Sequence, residues 1–183
     1  MLLRKLCALS AALLGLLAAN LHVVCAVGFG GAAPEGAYSP AAVRRGLAAA
    51  EATAEEILPG EGSAAAPVLR YSLRLRPPSD DARYVADAAL RATEGVAVLD
   101  GVYLDHVLLG AVKNGARFAG RVQAWLFDSM PWRAYEAGFV EPFALRPLYA
   151  RESSAQDPAL LLDALARTAQ VWYVDAEGRD VPG

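Results

Sequence analysis

Apolar and polar side chains alternate strictly from Val68 to Arg76. Leu69, Tyr71, Leu73 and Leu75 share one side, and Arg70, Ser72, Arg74 and Arg76 share the other. A period of two predicts a strand with one buried face. The stretches on either side follow a helical period instead. Val43, Leu47, Ala50, Ala54, Ile57 and Leu58 recur at three- and four-residue steps behind Ser39-Pro40, which has the form of an N-cap and a first helical position. The spacing predicts a helix over 40–58, stopped by Pro59-Gly60. After Pro77-Pro78, Ser79 can cap a second helix, with Asp80 and Asp81 where the helix dipole favours negative charge. Its apolar face is Ala82, Val85, Ala89 and Ala92, and Gly95 stops it. A strand is expected to follow over 96–104, and the strand, helix and strand have the length of a right-handed crossover if the strands are parallel.

Further along, Asn114-Gly115 carries the signature of a two-residue hairpin turn, since both residue types accept positive φ. Its arms would be about 106–113 and 116–127. In the second arm Phe118, Val122, Ala124 and Leu126 share one face, while Arg121, Gln123, Trp125 and Phe127 share the other; helix is the competing assignment for either arm. Asp157-Pro158 opens a helix through Leu161, Leu162, Leu165 and Ala166, and Val171 to Val174 reads as a last short strand. The expected fold class is α+β, a mixed or antiparallel sheet with helices packed on one face, preceded by an N-terminal hydrophobic leader.

The leader is the most specific signal. Arg4 and Lys5 precede an uncharged run from Leu6 to Ala19, followed by Val24-Cys25-Ala26. This is the layout of a secretory signal peptide cleaved after Ala26. An uncleaved anchor is the alternative, because no formally charged side chain intervenes between Lys5 and Glu35. In that case residues 6–28 would contact the membrane. Residues 1–26 are thus assigned to a signal peptide or anchor, 27–66 to a tether containing the 40–58 helix, and 67–183 to one α+β domain. Within the tether, residues 28–38 are rich in glycine and other small residues and read as a flexible spacer. Either fate of the leader places the rest of the chain outside the cytoplasm, in an extracellular or periplasmic space or anchored at a membrane. Cys25 gives little support to lipidation, because the residue before it, Val24, is not small. Cleavage after Ala26 would also leave a mature chain without Cys7 or Cys25, and so without disulfides or thiolate chemistry.

Composition narrows the chemistry. The 183 residues are 55% hydrophobic and 20% charged, with 17 basic and 20 acidic side chains and a formal charge of −3. That balance argues against a nucleic-acid partner, which would favour excess positive charge. His106 is the one histidine beyond the leader. Although Asp105 and Asp100 lie near it in sequence, a single imidazole cannot supply paired-histidine zinc ligands, and no metal or cofactor is expected. Ser129, Ser153 and Ser154 lie in no nucleophile elbow.

Two surfaces remain. Arg70, Arg74 and Arg76 form a row able to face an anionic group, or else a solvated outer face that blunts edge pairing. Residues 128–149 interleave Met130, Trp132, Tyr135, Phe139, Phe143 and Tyr149 with Pro131, Pro142 and Pro147. Three prolines there argue against a full-length regular element. Trp132, Arg133, Tyr135 and Phe139 are candidate binding residues, being of types that dominate interface energetics or stack on flat ligands. The expected function is a non-enzymatic exported domain binding a protein or cell-envelope component. The alternatives are an anion-binding module built on the arginine row, and a hydrolase using Glu136 or Glu141 with Asp128. No catalytic residue is assigned.

Overall fold

The computed structural model describes residues 20–61 and 63–183. The chain is α+β, and its sheets are antiparallel. It divides into two compact units, the first ending at Glu94 and the second running Gly95–Gly183. The boundary expected near residue 67 falls inside the first unit.

The first unit is built on a three-stranded sheet in the order β2-β1-β3, with β1 at His22–Gly28, β2 at Glu35–Tyr38 and β3 at Val68–Arg74. β1 is central and pairs with β3 along its whole length, from His22 opposite Arg74 to Gly28 opposite Val68. Its adjacent residues Val24 and Cys25 project to opposite faces and are both buried, Val24 to 1% exposure. Burial pushes the Cys25 thiol pKa up, against hydrogen bonding from Tyr71 and Arg70 that lowers it. Helix α1, Pro40–Ile57, starts as its sequence dictates, with the Ser39 Oγ accepting the Ala42 N–H at 3.0 Å and Pro40 in the first turn. Ala42, Gly46, Ala50 and Ala54 make a buried stripe at four-residue steps. At Gly46 a Cβ would lie 2.6 Å from the Ala82 carbonyl oxygen and 2.7 Å from the Val85 Cβ, so the close approach of α1 to α2 (Arg83–Ala92) requires glycine.

The second unit holds a three-stranded sheet, β5-β4-β7, and a two-stranded one, β6-β8. β4 is Val96–Leu104, β5 Val107–Val112, β6 Glu136–Phe139, β7 Phe143–Arg151 and β8 Val171–Val174. Helices α3 (Gly115–Asp128) and α4 (Pro158–Thr168) complete it. Val102, Leu104 and Val112 from the sheet meet Phe118 and Val122 of α3 and Leu161 and Leu165 of α4 in one core. Asp157 caps α4, accepting the Ala159 N–H at 2.8 Å.

Several expectations differ from this arrangement. Residues 22–26, read as the end of the leader, form most of β1, so cleavage after Ala26 would remove five of its seven residues. The part of the leader covering 1–19 lies outside the described residues. Glu35–Tyr38, read as spacer, is strand β2, bent past a bulge between Cys25 and Val27. β3 and β4 belong to different sheets, so no crossover joins them. Ser79 does not cap α2; its backbone bridges to Tyr38, while the Asp81 Oδ1 accepts the Arg83 N–H at 3.0 Å.

Asn114-Gly115 is not a hairpin turn. Asn114 has extended backbone, and its side chain accepts the Arg117 N–H at 2.9 Å, making it the cap of α3. Gly115 donates its N–H to the Asp100 Oδ2 at 2.6 Å, and a Cβ there would overlap that carboxylate. The hairpin turn falls instead on Asp105 and His106, both at positive φ (46° and 66°) between β4 and β5. Both residue types are enriched there among non-glycines.

Candidate functional site

The arginine row lies on β3, but the strand's apolar face is not buried. All seven β3 residues are exposed, Tyr71 to 58% and Leu73 to 64%, because β3 is an edge strand and no described element covers either of its faces. Arg70 stands opposite Ala26, and Arg74 opposite His22. Arg76 lies just beyond the strand. None of the three forms a salt bridge with a described residue.

The 128–149 segment divides in two. Its second half is regular: β7 spans nine residues and accommodates Pro147 opposite Asp100 because β7 is an edge strand, where a missing N–H can face away from the sheet. Phe139 faces inward, stacked on Trp125 at 6.2 Å between ring centroids and tilted against Phe143 at 5.2 Å, both contacts lying at the edge of the core. The first half turns outward. Trp132 is 86% exposed, Tyr135 76% and Phe127, at the end of α3, 75%. The Arg133 guanidinium lies over the Trp132 ring at 4.4 Å from its centroid. The loop presenting these side chains is held at both ends. The Met130 N–H reaches the Phe127 carbonyl at 3.2 Å, the Ala134 N–H the Pro131 carbonyl at 2.8 Å, and the Tyr135 N–H the Val174 carbonyl of β8 at 2.7 Å. Three exposed aromatics and Arg133 therefore fall within nine residues of sequence, with Trp132, Arg133 and Tyr135 on the hydrogen-bonded loop.

Of the carboxylates considered for hydrolysis, Asp128 ends α3, Glu136 begins β6 and Glu141 lies beyond that strand. The Glu141 Oε2 accepts the Gln170 N–H at 3.4 Å, and Glu136 and Asp128 are exposed. A groove of about 520 Å³ in the second unit is lined by Lys113, Arg117, Arg121 and Asp157 among others, and one of about 740 Å³ in the first by Tyr38, Tyr84, Asp87 and Arg91. Asp128, Glu136 and Glu141 border neither. Asp100 is engaged with Gly115 and lies four strand residues before the turn that holds His106, so the two do not form an acid–imidazole pair. Among the described residues no three His, Cys, Asp or Glu side chains converge as a metal site, and no helix is long and apolar enough to cross a membrane.

Sequence reasoning did not single out Phe127, which it placed on one face of a strand with Trp125, helix being the competing assignment; the structure exposes it at the end of α3. The reading of the arginine row as a solvated face at a strand edge agrees with the edge position of β3. No family model, curated protein or solved structure matches the chain.

Proposed function

We propose that the chain is an exported, non-enzymatic domain that binds a protein or cell-envelope component through the cluster of Phe127, Trp132, Arg133 and Tyr135. The observation that carries this reading is the exposure of Trp132 and Tyr135 on a hydrogen-bonded loop and of Phe127 at the end of α3 before it, with an arginine already stacked on the tryptophan. Burying such side chains on a partner removes apolar area from water at about 25 cal/mol per Å², and the fixed loop lowers the ordering cost of doing so. The place of β1 refines the export reading. Because residues 22–28 form β1, a leader that anchors the chain or is cleaved upstream of His22 is the version of the export reading this strand supports.

The test is a quantitative cross-linking comparison in an exporting host. Full-length protein and its Trp132→Ala/Tyr135→Ala variant are cross-linked to envelope components, with near-UV circular dichroism as a check on folding. The variant is expected to lose its specific adducts at unchanged secretion. Identical adducts in both proteins would overturn the assignment.

A further inference from the structure

The sheet of the first unit ends at β3, and among the described residues no strand pairs with its outer edge. Such an edge presents unpaired backbone donors and acceptors, which proteins normally shorten, cover or bend away. β3 is seven residues long and exposed throughout. Its alternation gives it two chemically distinct sides. Leu69, Tyr71 and Leu73, with Val23 of β1 opposite Leu73, make an exposed apolar surface. Arg70 and Arg74, with Arg76 beyond, make a cationic one. Some arginines elsewhere are matched by nearby carboxylates: Arg45 by Asp80, Arg83 by Asp81, Arg91 by Asp87, and Arg179 by Asp175 and Glu177. The β3 arginines have no such carboxylate among the described residues.

The same features select the strand that would fit. Directly opposed residues in adjacent strands share a face, and opposite charges facing each other stabilise the pair while like charges oppose it. A second copy of β3 is a poor match. Antiparallel pairing centred on Ser72 sets Arg70 opposite Arg74, and pairing centred on Arg70 sets that arginine opposite itself. Centring on Tyr71 avoids direct opposition but leaves arginines of both strands at diagonal positions about 7–8 Å apart. A strand carrying carboxylates at every second position and apolar residues between them satisfies the backbone edge, the arginines and the apolar side together. We propose that the β3 edge is a strand-addition site for an extended segment of a partner protein in which acidic and apolar residues alternate.

The probe is a blocked heptapeptide, Val-Glu-Val-Glu-Val-Glu-Val, titrated into the full-length protein in detergent micelles, with binding read by fluorescence anisotropy of a labelled peptide. Three comparison peptides are used: one with lysine for glutamate, one N-methylated at the glutamates and one N-methylated at the valines. Because alternate residues direct their N–H groups to opposite edges of a strand, one N-methylated peptide should lose binding while the other retains it. The lysine peptide should bind at least about tenfold more weakly than the parent, and raised salt should weaken the parent by screening. Arg70→Glu/Arg74→Glu, with both changes at exposed positions, should reverse the preference towards the lysine peptide, a gain that a misfolded protein would not show. Equal binding of acidic and basic peptides, or parent-like binding of both N-methylated peptides, would overturn the proposal. So would a concentration-dependent dimer of the unsubstituted chain that protects the outer-edge amides of β3, which would assign the edge to a second copy.

Discussion

Removing residues 1–26 should unfold the first unit, whereas removing 1–19 should not. The two deletions differ by seven residues, Asn20 to Ala26, five of which belong to the central strand. Val24 is buried, and such a side chain contributes about 1.5–3 kcal/mol; Cys25 is buried beside it. The register from His22–Arg74 to Ala26–Arg70 is lost with them, as is the Cys25–Tyr38 pairing with β2. At about 1 kcal/mol net per backbone hydrogen bond, some five lost bonds and the Val24 term together reach about 7 kcal/mol, which is comparable to the whole stability of a small domain. The measurement is a pair of amide NMR spectra of the 20–183 and 27–183 chains. The longer chain should show dispersed amides over Val68–Arg74, with those directed at β1 protected from exchange, and the shorter chain should not. If the 27–183 chain kept those signals, β1 would be dispensable and the placement of residues 22–28 would be wrong.

Cys25 provides an independent check on the same strand: in the folded 20–183 chain it should react with a maleimide only at the rate of unfolding, because it is buried and its raised pKa leaves little thiolate. Fast labelling under native conditions would refute this. Asn114→Ala should cost about 1 kcal/mol in denaturant melts by removing the α3 cap, whereas Asn114→Asp or Asn114→Ser should cost much less; equal losses for all three would instead favour a turn that needs positive φ. Asp175 closes the C-terminal loop by accepting the backbone N–H groups of Glu177 and Arg179 and the Arg179 guanidinium, which hold its pKa below the ordinary carboxylate value. Its stabilising effect is therefore present above the unfolded-state pKa and lost as pH falls through the lower folded value. In an acid titration of stability, Asp175→Asn should flatten that limb, and an unchanged limb would count against it.

The elements most legible in the sequence were those where one period and one cap agreed. Ser39-Pro40 and the four-residue spacing fixed α1, and Asp157-Pro158 fixed α4, because local capping and the apolar stripe point the same way there. α3 was ambiguous for an arithmetic reason. Phe118, Val122 and Leu126 are spaced by four, which satisfies both a helical face and a strand face, so only the positions between them discriminate. Gly120 and Ala124 are exposed, as a helix requires and a half-buried strand does not. Small residues carry too little hydrophobic signal to reveal that from sequence. Asn114-Gly115 compounded the ambiguity, since asparagine serves equally as a helix cap and as a turn residue, and the carboxylate that selects the cap, Asp100, lies on another strand.

The candidate surfaces were harder to read because exposure is a property of neighbours. The alternation in β3 was real, yet alternation alone does not say that a layer lies over the apolar side, and in this edge strand none of the described elements does. The sequence signal for a buried face is therefore identical to the signal for an unpartnered one, and only the sheet order separates them. The proline-rich segment presents the converse case. Pro147 argued against a strand, but an edge strand has a side on which no amide is needed, so β7 forms around it. Phe139 and Trp132 are equally aromatic in sequence; β6 turns the first towards Trp125 and Phe143, while the loop anchored between α3 and β8 turns the second out to solvent. Side-chain type thus nominated the aromatic cluster, and backbone hydrogen bonds made far away in sequence decided which of its members can meet a partner.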